Sequence, residues 1–74
     1  MAVRPLSLLR PGEEAVVVEI RGGRGIQGRL MSMGLMPGRK VRMLNSGATG
    51  PAVIALGATR IAVGRGQLHR VLVN

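Results

Sequence analysis

The sequence predicts a small, partly open all-β barrel of five short strands with one short inserted helix. Three observations support this fold class. The chain has 74 residues, enough for one small core, so we treat residues 1–74 as a single domain. Glycine and proline recur about every ten residues, a spacing typical of short strands joined by turns. Between these turns, apolar and polar residues mostly alternate, which is the period of a strand with one buried face.

Alternation in the first predicted strand places Val16, Val18 and Ile20 on the inward face and Val17 on the outward face. Too few residues are present for two layered sheets, so the strands are expected to curl into a barrel. The five predicted strands cover residues 14–21, 39–44, 52–56, 60–63 and 70–73.

The second predicted strand follows the same period. It directs Val41 and Met43 to the core and leaves Lys40 and Arg42 facing water. Before the first strand, Leu6 and Leu9 are three residues apart, which suggests one helical turn that closes an end of the core.

Residues 25–33 break the two-residue period. Ile26, Leu30 and Met33 stand at the spacing of one helical face, although Gly28 lowers the helix propensity by about 1 kcal/mol relative to alanine. The segment therefore predicts a short helix.

The end of this helix is specified by a glycine. Gly34 is the expected left-handed residue, with Leu30 and Leu35 as the apolar pair that accompanies such an ending, and Pro37 follows where a helix cannot continue. A sharp corner into the next strand is the consequence.

Charge indicates the nature of the partner. Eleven basic and three acidic residues give a formal net charge of +8, which favours an anionic partner such as nucleic acid, a membrane surface or an acidic protein face. No segment approaches the roughly 20 apolar residues of a membrane span, and no signal-type core is present, so we expect a cytoplasmic protein.

Catalytic and metal sites are disfavoured. The chain has no cysteine and one histidine. Glu13 and Glu14 point to opposite sides if extended, and Glu19 lies about 16 Å further along a strand. His69 has no carboxylate near it in sequence. Ferrous iron needs several convergent ligands, so we predict no catalytic residue, no metal site and no cofactor.

Specific residues resemble the FeoA family. The block Arg29-Leu30-Met31-Ser32-Met33-Gly34-Leu35-Met36-Pro37-Gly38 is similar to that family's helix-to-strand corner. Weaker matches lie in order around it, so that the resemblance covers nearly the whole chain. One departure is at Gly64, where family members commonly carry an arginine, because here Arg65 lies one residue later.

The resemblance implies an SH3-like barrel in the bacterial cytoplasm. It also implies a non-enzymatic adapter that binds the cytoplasmic part of FeoB, the ferrous iron transporter, which carries a GTP-binding domain. Exposed strand edges and a methionine-rich corner make self-association a further expectation.

Six residues are candidates for partner binding. Met31, Leu35 and Met36 cluster at the helix corner, and methionine suits adaptable contact surfaces. Within that cluster we expect Met31 and Met36 to be exposed, and Leu35 to lean towards the core with Met33. The remaining candidates are basic, because an arginine can touch an anionic group or assist GTP hydrolysis in trans: Arg24, Arg29 and Arg65.

Two alternatives remain. Small basic barrels bind nucleic acid, but single-strand binders stack bases on aromatic rings, and this chain has none. The same fold occurs as a C-terminal module of metal-dependent repressors, an alternative disfavoured because the chain begins at Met1 with no DNA-reading helix before the barrel.

Overall fold

A computed structural model describes residues 2–74. A 3₁₀ turn covers Leu6–Leu8, and the remaining elements are β1 (Arg4–Pro5), β2 (Glu14–Ile20), α1 (Arg24–Ser32), β3 (Lys40–Asn45), β4 (Ala52–Leu56), β5 (Thr59–Val63), α2 (Arg65–Leu68) and β6 (Val71–Val73). The strands form one antiparallel sheet in the order β1-β6-β2-β3-β4-β5. The strand order has two ends, β1 and β5, so the barrel is partly open as predicted.

Residues 2–74 contain six strands where five were predicted. The additional strand is β1, in which Arg4 pairs with Val73 and Pro5 with Leu72. Two residues carry no alternating pattern, and proline has no N–H to donate to a ladder. This strand is therefore defined by its partner β6 rather than by its own sequence.

The predicted inward face of β2 is wrong over its first half. Val17 is 1% exposed, whereas Val18, predicted to point inward, is 39% exposed. The pairing of β2 with β6 shifts between Val17 and Glu19. An extra residue at such a bulge reverses which face the later side chains occupy, so Val17 and Ile20 both reach the core across it.

The core contains only apolar side chains, among the residues described. The 3₁₀ turn contributes Leu6 at its start, and Leu9 follows the turn. Both side chains are at most 2% exposed, so the predicted helical turn that closes an end of the core is confirmed. In β3, Val41 and Met43 are buried and Lys40 and Arg42 exposed, as expected. The largest fully buried side chains are Leu6, Leu9, Leu30, Leu35, Met43, Ile54 and Leu68.

Helix α1 packs one face on this core. Leu30 is fully buried, while Ile26 and Met33 pack against the core with partial exposure. These are the three residues whose spacing predicts the helix. A second helical turn, α2, was not predicted, because Gly66 inside a four-residue element gives no periodic signal. No helix within residues 2–74 is long and apolar enough to cross a membrane.

Candidate partner-binding surfaces

The end of α1 fixes a sharp corner in the chain. Gly34 has φ 101°, and its N–H donates to the Met31 carbonyl at 2.9 Å. The Leu35 N–H donates to the Leu30 carbonyl at 3.0 Å. These are the two hydrogen bonds of a Schellman ending, so the predicted corner is confirmed in detail.

Burial at the corner separates its residues into two groups. Leu30 and Leu35 are fully buried. Leu35 therefore supports the corner from inside and offers no side chain to a partner, which corrects its place among the candidates. Met31 and Met36 are 43% and 40% exposed, as expected. We call Met31, Met36 and Arg24 the methionine corner.

Helical geometry decides which arginines belong to this corner. At about 100° per residue, Arg24 and Met31 point within about 20° of each other on the outer face of α1. Arg29 lies about 140° away from Arg24 around the same axis. Both arginines are exposed. The structure thus brings Arg24 and Met31 onto one face and leaves Arg29 on the flank.

Arg65 has a different environment. Its Nη1 donates to the Gly47 carbonyl at 2.6 Å and to the Ser46 carbonyl at 3.1 Å. The Gly47 N–H donates to Asn45 Oδ1 at 2.9 Å. Arg65 therefore holds the loop between β3 and β4, and it does so from the first position of α2.

The three glutamates are each paired with an arginine. Glu14 lies 3.3 Å from Arg42, and Glu19 lies 3.4 Å from Arg21. Glu13 accepts a hydrogen bond from Arg4 at 3.2 Å. The pairs of Glu14 and Glu19 are exposed and individually weak, and the pair of Glu13 is half-buried. They leave the other basic side chains without a carboxylate partner within residues 2–74.

The Glu13 carboxylate is further held by backbone. The Arg10 N–H donates to its Oε1 at 2.7 Å. The pKa of Glu13 is lowered from its ordinary value of 4.5, most strongly by this backbone hydrogen bond and next by the hydrogen bond from the Arg4 guanidinium. The carboxylate therefore fastens β1 to the turn that precedes β2.

Ligands for a metal do not converge in the part of the chain that is described. No group of three or more His, Cys, Asp and Glu side chains lies close enough to hold an ion within residues 2–74. His69 Nδ1 lies 3.0 Å from Ser7 Oγ, so the histidine links α2 to the 3₁₀ turn.

A groove on the outer face of β3, β4 and β5 was not predicted. Its volume is about 680 Å³, and its walls include four cations, Arg39, Lys40, Arg42 and Arg60, with Glu14 as the carboxylate among its lining residues. We call it the basic groove. The sequence signal for it was the pair of outward cations on β3, but their convergence with Arg60 requires the strand order.

Comparisons with known proteins agree with this architecture. The FeoA domain family matches residues 4–74. A Methanocaldococcus jannaschii protein provisionally named Fe(2+) transport protein A is 36% identical over 70 residues, covering 95% of this chain and 84% of that protein.

Solved structures give the same result. The crystal structure of an iron uptake regulatory protein, FeoA, superposes with a TM-score of 0.92 at 42% identity, covering 99% of this chain and 97% of that one. Stenotrophomonas maltophilia FeoA, described as a prokaryotic SH3 domain protein, gives 0.80 at 31% identity, with 95% and 88% covered.

More distant neighbours share only the fold. A manganese-dependent transcriptional repressor superposes with a TM-score of 0.87 at 19% identity, and the match spans 96% of this chain but 40% of the repressor. The barrel is thus SH3-like, and on the family match and the close relatives together, this chain belongs to the FeoA family of ferrous iron transport accessory proteins.

Proposed function

We propose that this chain is a cytoplasmic, non-enzymatic adapter that binds the cytoplasmic part of a FeoB-type ferrous iron transporter. All 74 residues would act as one FeoA domain. Membership of the family supports the link to ferrous iron transport. Binding rather than catalysis is supported by the engagement of the polar side chains, because each glutamate contacts an arginine and His69 contacts Ser7.

The methionine corner carries the proposal. Met31 and Met36 keep about two fifths of their surface exposed beside a turn whose backbone is fixed by two hydrogen bonds. Methionine adapts its shape to a contacting surface, and a rigid backbone lowers the entropy lost on binding. Arg24 on the same face would meet an anionic group of the partner.

The strength of this contact can be estimated from exposure. Fully burying a methionine side chain is worth about 1.5–3 kcal/mol. Covering the part that remains exposed in each is therefore worth about 1 kcal/mol. Removing both apolar contacts should raise the dissociation constant roughly thirtyfold.

The test is a binding measurement with the purified transporter of the same organism in detergent micelles. The double variant Met31→Gln with Met36→Gln keeps side-chain length, and Met31→Gln also keeps the helix propensity of α1. We expect it to bind roughly thirtyfold more weakly with an unchanged thermal midpoint.

Leu8→Gln is the matched control, because Leu8 is 61% exposed and lies outside the corner. It should bind like the unmodified protein. Equal binding of all three proteins would exclude the methionine corner as the docking surface, and no binding of the unmodified protein would refute the proposed function. Light scattering on the free protein would test self-association.

A further inference from the structure

We propose that the basic groove binds an extended acidic segment of a protein partner. The inference deepens the proposed function and rests on it, because the proposed function makes the partner a protein. It concerns a surface distinct from the methionine corner. Its basis is the pairing of the strands, the state of each cation in the groove and the chemistry of the groove floor.

Strand register aligns the groove charges. Arg42 on β3 pairs with Ala55 on β4, and Ala55 pairs with Arg60 on β5. Neighbouring strands lie about 4.8 Å apart, so the backbones of Arg42 and Arg60 are separated by about 10 Å. The small Ala55 between them leaves room for a ligand to lie on the sheet.

Spacing along β3 fits an extended peptide. Lys40 and Arg42 are two residues apart on the same face, a distance of about 7 Å in an antiparallel strand. Alternate side chains of an extended peptide repeat at the same distance. Two carboxylates of such a peptide can therefore meet Lys40 and Arg42 together, with Arg60 available to a third.

Two of the cations are already partly engaged, and two are not. Arg42 contacts Glu14 at 3.3 Å, and Arg39 Nη2 donates to the Leu56 carbonyl at 3.3 Å. Lys40 and Arg60 are exposed, and neither has an ion-pair partner within residues 2–74. Arg39 and Arg42 can therefore offer only part of their hydrogen-bonding capacity to a ligand, whereas Lys40 and Arg60 are fully available to it.

The groove chemistry favours an acidic protein segment over nucleic acid. Glu14 repels a continuous chain of phosphates where a peptide can place a neutral residue. Ala55 and Leu44 line the groove and offer no side-chain group that hydrogen-bonds a base edge. The chain also has no aromatic residue on which an unpaired base would stack.

The test measures fluorescence anisotropy of a labelled peptide of alternating glutamate and alanine, titrated with the intact protein. We expect saturable binding that weakens as salt shortens the screening length from about 10 Å at 0.1 M to about 3 Å at 1 M. Arg60→Glu and Lys40→Glu should each raise the dissociation constant about tenfold, because each replaces an attraction by a repulsion.

Arg70→Glu is the matched control, since it makes the same change of net charge at an exposed position that does not line the groove. It should have a much smaller effect than Arg60→Glu. If the two variants weaken binding equally, the peptide responds only to the net charge of the protein, and the proposal is overturned. Failure of the peptide to bind the unmodified protein would also overturn it.

Two further ligands test the class of partner. A labelled single-stranded oligonucleotide with the same formal charge as the peptide, and vesicles containing phosphatidylglycerol, should both bind more weakly than the peptide. Stronger binding of either would overturn the proposal. The titration needs no transporter, so its outcome and that of the transporter measurement are independent.

Discussion

Replacing Gly34 by alanine tests the physical basis of the corner. Gly34 has φ 101°, in a region that residues with a Cβ rarely adopt. A Cβ built there would lie 3.0 Å from Leu56 Cδ1, a side chain of the core with 2% exposure. Alanine would therefore meet both backbone strain and crowding.

Three contributions set the size of the effect on stability. Left-handed backbone costs a residue with a Cβ about 1–2 kcal/mol, and crowding of a packed core typically costs about 1–3 kcal/mol. The lower entropy of the unfolded chain returns about 0.4–1 kcal/mol. These ranges give a net loss of about 1–5 kcal/mol, with a middle value of about 3 kcal/mol. At about 6 °C for each kcal/mol, that middle value lowers the thermal midpoint by roughly 18 °C.

Gly28→Ala, inside the helix that Gly34 terminates, provides a control of opposite sign. A Cβ at Gly28 meets nothing within 4 Å, and its φ is not positive. Alanine there should stabilise the protein by about 0.5–1 kcal/mol. Calorimetric melting of both variants measures the difference. If Gly34→Ala melts at or above the temperature of the unmodified protein, the account of the corner would be refuted.

Two other predictions concern side chains that hold connecting segments in place. Arg65→Ala removes two hydrogen bonds to the loop carbonyls of Ser46 and Gly47. Amide hydrogen exchange should therefore accelerate at Gly47, while exchange in the central strands stays unchanged. An unchanged exchange rate at Gly47 would contradict the role of Arg65. The pKa of Glu13 is lowered from 4.5, so the ionised carboxylate stabilises the folded chain fully above about pH 4.5, and this stabilisation is lost as the pH falls below that value. The melting temperature of Glu13→Gln should therefore fall less steeply with decreasing pH than that of the unmodified protein. An identical pH dependence would refute the assignment.

Features set by nearby residues were predictable from the sequence. The ending of α1 depends on Leu30, Gly34 and Leu35, which lie within six residues of one another, and both of its hydrogen bonds form as expected. The outward cations of β3 were likewise predicted from a two-residue period. In each case the physical cause lies within one element.

Features set by pairing between distant segments were not predictable. The bulge that lets both Val17 and Ile20 face the core arises where β2 meets β6, and a regular alternation cannot reveal it. Strand β1 exists because β6 pairs with it. The basic groove requires Arg42 and Arg60 to face each other across β4, which a linear sequence does not express.

The candidate site was predicted in the same uneven manner. Exposure of Met31 and Met36 was expected and is observed, because both follow from the direction of the helix and its cap. Leu35 was included among the candidates although the apolar contact with Leu30 that accompanies this helix ending favours its burial. Arg65 was included for its charge, and its hydrogen bonds with the loop could be found only in three dimensions.

The two proposed surfaces differ in the force that each would use. Contact at the methionine corner depends on removing apolar surface from water, which salt alters little. Contact at the basic groove depends on exposed charges, which salt screens strongly. If both surfaces engage one transporter, binding at high salt should retain the contribution of Met31 and Met36 and lose that of Lys40 and Arg60. A complex that uses only the methionine corner would instead be insensitive to salt, and one that uses only the basic groove would dissociate at high salt.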